Sequence, residues 1–202
     1  MSIKVNAEEA KGTFLVLARN YIKREGSEDL LNYLIKSDFF DAPASSRYHM
    51  SCKGGLCQHS INVFNRLVKE VENEYETVED SPWNMETLTI VSLMHDICKI
   101  DFYKETIRNI KNQVTGKYEP VKFYEIDEKL PIAHSYKSQY ILRSYINLSR
   151  EESIAIMSHM GGFDSNVRGG DQTISNAFKK FPLAVLLHVA DLKAANLDEI
   201  EH

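Results

Sequence analysis

The chain has 202 residues, of which 43% are apolar and 26% are charged, so it is long enough for one domain with a substantial core. Its net charge of −5 gives no general attraction to a polyanion and speaks against a nucleic-acid scaffold protein. The first residues do not resemble a secretory signal, no apolar run reaches the roughly 20 residues that span a bilayer, and three cysteines make no even disulfide framework. We therefore expect a protein of the reducing cytoplasm with no membrane partner.

The first half of the chain predicts helices separated by short polar breaks. Apolar residues repeat at helical spacing over 7–24, and a second short helix follows with Ser27 as its N-cap. Residues 38–55 are irregular and lead into a longer amphipathic helix at about 56–76. A helix at about 84–99 is apolar on most sides, which is typical of a buried element.

The second half contains one β-hairpin and further helices. Two β-prone runs flank Thr115-Gly116 and predict a hairpin insert over about 102–126, while Pro182 is expected to kink or restart the last helix. The other predicted segments are helices at about 133–147, at 150–159 with a Ser149–Glu152 capping box and at about 174–197, and a glycine-rich loop over 160–172. We therefore predict an all-α single domain with one hairpin insert.

The adjacent pair His95-Asp96, at the polar end of the apolar helix, is the most informative feature of the sequence. Ionisable groups at such a position are rarely buried unless they are paired or bind a metal. Four further candidates complete an ordered set of imidazole and carboxylate donors: His59, His95, Asp96, His134, His159 and Asp191. Such donors suit iron, manganese, zinc or nickel better than calcium. A single histidine would more often be a core or surface residue, so the metal prediction depends on the whole set.

Asp96 could join two metal sites, because a carboxylate offers two oxygens. The sites that share it are His59, His95, Asp96 and Asp191 for a first ion, and Asp96, His134 and His159 for a second. Two neighbouring ions can activate a water and hold both oxygens of a displacement at phosphorus. The donor set is therefore compatible with hydrolysis of a phosphate ester.

The order of these motifs resembles the HD-domain superfamily of metal-dependent phosphohydrolases, in particular the stand-alone HD hydrolases of bacteria and phages. The segments that carry the resemblance are 54–60 (GGLCQHS), 93–99 (LMHDICK), 131–135 (PIAHS), 156–161 (IMSHMG) and 186–191 (LLHVAD). It covers about residues 45–197, the expected HD-type metal-binding core, which follows an N-terminal helical extension over 1–40 in a single domain of residues 1–202. The resemblance implies an HD-domain helical bundle with one or two divalent ions of Mn, Fe, Ni, Co or Zn.

One position departs from the family pattern. Some two-metal members have two adjacent histidines where this chain has His159-Met160. Because a thioether is a poor ligand for a hard or borderline ion, we expect the second site to have only His134, His159 and the bridging Asp96. The expectation is one firmly held ion and a second, weaker one.

Residues close to these motifs are candidates for catalysis and substrate binding. Lys99 follows His95 by one helical turn and could neutralise phosphate charge or protonate a leaving oxygen, so Asp96 and Lys99 are the predicted catalytic residues. The predicted substrate-binding residues are Arg47, His49, Lys99 and Tyr103. The alternatives are a solvated helix end for Lys99 and packing or surface roles for the others. His188 is expected to make a structural hydrogen bond.

Three functions agree with this sequence. The leading one is hydrolysis of a nucleotide or other small phosphate mono- or diester by metal-activated water, with nucleic acid as a less favoured partner. The second is a di-iron HD-fold oxygenase acting on a polyol or phosphonate, because the ligands of such enzymes follow the same order. The third is a non-catalytic nucleotide-sensing module, although such a module has no need of a complete ligand series.

Overall fold

The structure is a computed structural model that describes residues 5–164, 167 and 169–200. These residues form mostly helices with one antiparallel hairpin, which confirms the predicted helical architecture with a hairpin insert. In chain order the elements are α1 (Ala7–Tyr21), α2 (Ser27–Lys36), α3 (Gly55–Tyr75), α4 (Met85–Met94), β1 (Tyr103–Lys111), β2 (Tyr118–Ile126), α5 (His134–Leu142), α6 (Arg150–Ser158), α7 (Thr173–Lys180) and α8 (Pro182–Lys193). No helix in the described ranges combines the length and apolar character needed to cross a membrane.

Helix α3 is the central element, since α1, α4 and α8 all pack against it. Its buried residues recur at helical spacing and include Leu56, Val63 and Leu67. Helix α4 is buried at every position from 88 to 94. Because a helix that is apolar on all sides belongs inside the protein, α4 carries the residues that follow it into the interior.

The end of α4 differs from the prediction. The apolar pattern predicted a helix to residue 99, but α4 ends at Met94 and a short 3₁₀ turn follows at Ile97–Lys99. The backbone leaves helical geometry at Asp96, with φ −107° and ψ 18°. The sequence gives no signal for this break, because residues on both sides of it are buried. His95 and Asp96 therefore lie in a turn and not on one helix face.

Two helix starts test the capping predictions. The Ser149–Glu152 capping box is present at the start of α6, as predicted. The N-cap of α2 is Gly26 and not Ser27, which is instead the first helical residue. Gly26 has φ 84°, and a Cβ at this position would lie 1.9 Å from the Tyr145 carbonyl oxygen, so the close packing requires glycine.

The last helical region is divided where proline predicted a break. The chain leaves α7 at Phe181 and α8 begins with Pro182, whose missing N–H is harmless in a first turn. Helix α8 continues into a π-helical turn at Ala194–Asp198. The polypeptide after α8 is thereby directed back along α3, which it contacts.

The hairpin pairs Tyr103 with Ile126 at its base and Lys111 with Tyr118 at its tip. Most of its side chains are exposed, including Ile107 and Tyr118. Its strands contribute nothing to the buried apolar core of the described residues. The hairpin therefore extends from the helical body between Lys99 and α5.

Candidate metal centre

The structure brings together all the predicted metal ligands. The elements that carry them are α3 (His59), the turn after α4 (His95 and Asp96), α5 (His134), the end of α6 (His159) and α8 (Asp191). His59, His95, Asp96 and His159 are almost completely buried, with 3% exposure or less. Asp191 and His134 are more open, with 19% and 30% of the side chain exposed. Buried polar groups at this density need mutual hydrogen bonds or a cation.

The position of His59 is set by the start of α3, where the backbone around Met50 passes very close to Gly55. A Cβ on Gly55 would lie 2.1 Å from the Met50 carbonyl oxygen. The Gly55 amide donates to the Cys52 carbonyl, and the helix then begins without a side-chain N-cap. Glycine is thus required by a close backbone approach, and it fixes where the first turn of α3 delivers His59.

Two of the histidines are oriented by backbone carbonyls of the helices that precede them. His95 Nδ1 lies 2.7 Å from the Ser92 carbonyl oxygen, and His159 Nδ1 lies 2.6 Å from the Ile156 carbonyl oxygen. A carbonyl oxygen only accepts hydrogen bonds, so each Nδ1 must donate a proton. In a neutral ring the Nε2 atom then carries a lone pair, and it points into the cluster.

The first half of the cluster joins His59, His95 and Asp191. His59 Nε2 lies 3.3 Å from His95 Nε2 and 3.2 Å from Asp191 Oδ1. Facing lone pairs on two imidazole nitrogens repel each other unless a proton or a metal ion lies between them. Two nitrogens bound to one tetrahedral ion at about 2.0–2.1 Å would lie about 3.3–3.4 Å apart. The observed spacing therefore fits a metal ion.

Charge in this half also favours a cation. Burial lowers the pKa of His59, but the neighbouring Glu199 and Asp191 carboxylates outweigh it and raise that pKa to about 10. Burial likewise raises the pKa of Asp191, and the surrounding histidines reverse the effect and hold it well below the ordinary range. Without a metal, the pocket therefore holds positive charge as a proton on His59.

The second half of the cluster joins His134 and His159 through Asp96. Asp96 Oδ1 lies 3.0 Å from His134 Nε2 and 3.5 Å from His159 Nε2. Its other oxygen, Oδ2, lies 3.4 Å from His95 Nε2. His159 Nε2 is buried and makes no hydrogen bond among the described residues, and such an atom is costly unless it has a partner. The Asp96 carboxylate thus stands between the two halves, in the position expected for a bridging ligand.

Cys98 is a neighbour of the second half that the sequence analysis did not single out. Its Sγ atom lies 3.4 Å from His134 Nδ1 and 4.0 Å from Asp96 Oδ1. Burial and the Asp96 charge raise the pKa of the Cys98 thiol to about 12, so the sulfur carries a proton at neutral pH. Asp96, Cys98 and His134 are close enough to be donors to one ion.

Lys99 is the cation closest to Asp96 among the described residues. Its Nζ atom donates to Asp96 Oδ2 and to the Ala44 carbonyl oxygen, both at 2.6 Å. Burial lowers the pKa of Lys99, but the Asp96 carboxylate more than compensates, so the pKa lies above its ordinary value. Lys99 therefore stays charged and is held in place, and it is not a solvated helix end. Its catalytic role remains a prediction.

A cleft of about 930 Å³ leads from solvent to the cluster. Arg47, His49 and Lys99 line it, together with the ligand candidates His59, Asp96 and Asp191. Burial, together with the positive charge of His59, lowers the pKa of His49 to about 4, so its ring is neutral at pH 7. The described lining does not include Tyr103, which packs edge-on against Phe102 at 4.9 Å.

Two further side chains, Glu199 and His188, hydrogen-bond to ligand candidates. Glu199 accepts hydrogen bonds from His59 Nδ1 at 2.9 Å and Asn62 Nδ2 at 2.9 Å. Sequence reasoning missed Glu199, because it lies beyond the predicted end of the last helix and no local motif marks it. His188 Nδ1 donates to the His159 carbonyl at 2.6 Å, the structural hydrogen bond that was expected.

The cluster as a whole could hold a metal ion. Groups of three donors that lie within 4.8 Å of one another occur in both halves, and they combine imidazole nitrogen with carboxylate oxygen. This chemistry suits first-row transition metals, and the orphaned His159 Nε2 and the facing Nε2 atoms fit a bound cation. No family model, curated protein or solved structure matches this chain.

Proposed function

We propose that this chain is a metal-dependent phosphohydrolase with the HD-domain architecture. The substrate we propose is a nucleotide or another small phosphate mono- or diester. The observation that carries the proposal is the buried Asp96 carboxylate, which faces His95 on one side and His134 and His159 on the other. A carboxylate between two groups of imidazoles is suited to two-ion chemistry at phosphorus.

The proposed ligands divide between the two halves of the cluster. His59, His95, Asp96 and Asp191, whose donor atoms face one another, would hold the firmer ion. Asp96, His134 and His159 would hold a weaker second one. When bound, such ions act as Lewis acids and lower the pKa of a coordinated water. His134 has the most exposed side chain of the set, at 30%, which agrees with a second site that is less firmly held.

Positively charged side chains of the cleft would bind the phosphate group. Lys99 lines the cleft with an ammonium group paired with Asp96, where its fixed positive charge could stabilise charge on a phosphate oxygen. Arg47 is exposed and lines the cleft, and its guanidinium could pair with a second phosphate oxygen. The cleft volume of about 930 Å³ is suited to a small-molecule substrate.

The test is hydrolysis of a panel of phosphomonoesters and phosphodiesters by protein loaded with Mn, Co, Ni or Fe. We expect turnover of at least one class, and a decrease of about 10²–10³-fold in kcat for Lys99→Met. Lys104→Met, on the exposed face of β1, is the matched control and should keep full activity. Absence of turnover with every metal, from protein shown to be loaded, would refute the proposal.

Two other outcomes would assign the competing functions. Dioxygen consumption with a polyol or phosphonate and ferrous iron would identify the oxygenase, which can use the same donor set. Nucleotide binding by a chain that retains no transition metal would identify the sensing module. Both measurements use the same purified protein as the hydrolysis panel.

A further inference from the structure

We propose that Glu199 is a positioning residue that fixes His59 for metal binding, and that the segment 194–200 is therefore part of the metal centre. The proposal rests on the proposed metal-dependent function. Glu199 lies well outside the motif set and eight residues after Asp191. Its carboxylate is nevertheless completely buried against His59.

The contacts of Glu199 are those of a carboxylate that orients an imidazole. Its two oxygens lie 2.9 and 3.0 Å from His59 Nδ1, and Asn62 Nδ2 donates to Oε1 at 2.9 Å. A buried carboxylate is stable only when it is paired and hydrogen-bonded, and these partners provide both. Nδ1 must therefore donate, which leaves Nε2 of His59 directed at His95 and Asp191.

His59 is consequently held from both ring nitrogens by one continuous segment. Asp191 from α8 faces Nε2, and Glu199 beyond the π-helical turn faces Nδ1. The segment is attached to α3 by further pairs that do not involve the cluster: Asp198 with Arg66, and Lys193 with Glu70 at 2.8 Å. The position of His59 thus depends on how the chain after α8 packs on α3.

The chemical effect of Glu199 goes beyond holding the ring still. A carboxylate that accepts a hydrogen bond from Nδ1–H makes the Nε2 atom of the imidazole a stronger metal ligand. Loss of such a partner weakens metal affinity by about 10–100-fold. His95 and His159 have only neutral carbonyls in the equivalent position. Among these three histidines, His59 is therefore the one with a charge-assisted partner.

The test measures Mn²⁺ affinity of the full chain by competition with a chelator. We expect Glu199→Ala to weaken binding by about 10–100-fold, and Glu199→Gln, which keeps an acceptor oxygen but loses the charge, to weaken it less. Glu119→Gln is the control, because it removes a carboxylate of the exposed hairpin that pairs with Asn112 and lies outside both the cluster and the segment 194–200. It should bind Mn²⁺ as the wild type does.

A second measurement separates positioning from stability. In a His59→Ala background, Glu199→Ala should cause no further loss of Mn²⁺ affinity, because its partner is gone. Long-range ¹H–¹⁵N spectra of the metal-free protein should show the His59 Nδ1 resonance change in Glu199→Gln, a variant that keeps the shape of the side chain.

The outcomes distinguish this proposal from the one before it. Equal Mn²⁺ affinity for wild type and folded Glu199→Gln and Glu199→Ala would overturn the role of Glu199. The same holds if His59→Ala weakens binding and neither Glu199 variant does. Wild-type protein that binds none of Mn²⁺, Co²⁺, Ni²⁺ and Fe²⁺ would overturn both the metal-dependent function and this proposal.

Discussion

Hydrogen bonds made by Nδ1 decide which ring nitrogen of two histidines is free to bind a metal ion. His95 and His159 each occupy the C-cap of a helix, and each donates Nδ1–H to the carbonyl three residues before it. The same local geometry therefore occurs twice, on α4 and on α6. In both cases the backbone selects the tautomer, and the Nε2 atom turns toward Asp96.

Asp96 should matter more for metal loading than any histidine, because its two oxygens face different halves of the cluster. We expect Asp96→Ala to lose metal at both positions, whereas His134→Ala should retain the ion held by His59, His95 and Asp191. Metal content per chain after gel filtration, measured by mass spectrometry, checks this. Full loss of metal from His134→Ala would contradict the assignment of the two halves.

At the scale of elements, a buried carboxylate joins α4 and α6 to the connection between α1 and α2. Glu152 at the start of α6 accepts from the Arg24 guanidinium at 2.9 and 3.0 Å, from Thr87 of α4 at 2.9 Å and from the Ser149 amide at 2.8 Å. Arg24 also pairs with Glu86. This network fixes the ends of α4 and α6 that lie away from the metal ligands.

Because the Glu152 carboxylate holds this network together, the protein should lose stability at acid pH. Burial raises the pKa of Glu152, but Arg24 and the Ser149 amide outweigh it and hold the pKa below its ordinary value of 4.5. The ionised carboxylate therefore stabilises the fold above pH 4.5, and this contribution is lost as the pH falls through the lower folded-state pKa. Glu152→Gln should destabilise the protein by about 1–3 kcal/mol at pH 7.

Urea denaturation at several pH values measures both effects. The loss caused by Glu152→Gln should shrink as the pH falls from 4.5 through the lower folded-state pKa of Glu152, where the wild-type carboxyl becomes protonated in the folded protein too. The exposed Glu119, which reaches only the hairpin loop, gives the control variant Glu119→Gln. A constant difference between Glu152→Gln and wild type from pH 7 to pH 3 would be evidence against the network.

The turn after α6 depends on one of two adjacent glycines. Gly161 has φ 53°, and a Cβ there would lie 2.4 Å from the His188 ring, which is held by the His159 carbonyl. A Cβ on Gly162 would meet nothing within 4 Å. We expect Gly161→Ala to lose about 1 kcal/mol or more of stability and to weaken metal binding, and Gly162→Ala to stay within about 0.5 kcal/mol of wild type. Thermal unfolding of the two variants decides this, and equal effects would contradict it.

At the scale of the whole molecule, a bound metal should act as a cross-link. The candidate ligands come from α3, the turn after α4, α5, α6 and α8, so an ion that binds only the folded state stabilises all of these contacts together. At 100 times Kd the gain is about 2.7 kcal/mol, which corresponds to a rise of about 5–10 °C in Tm.

Differential scanning fluorimetry with Mn²⁺ and with EDTA measures this stabilisation. His95→Ala removes a ligand candidate of the first half and should abolish most of the rise in Tm. Lys104→Met should keep it. An equal rise in His95→Ala and wild type would place the ion elsewhere on the protein.

The sequence allowed the helical class, the hairpin, the capping box and the Pro182 break to be predicted, because each has a local chemical signal. It also predicted which ligand candidates come together, through motifs with a fixed order. It could not predict the break after Met94 or the burial of Glu199. The burial of Glu199 depends on contacts with a distant segment, such as that with Asn62, which leave no periodic pattern.

The hairpin has a consequence for how this molecule could be altered. It lies in the chain between Lys99 and His134, both of which contact Asp96, so the segment that contains it is anchored on both sides to one side chain. Loop-closure entropy grows only with the logarithm of length, by about 0.6 kcal/mol for each doubling. A peptide or reporter domain inserted at the exposed turn around Gly116 would therefore leave the interior almost unchanged. We therefore expect that the length of the hairpin can be changed without moving the candidate metal ligands.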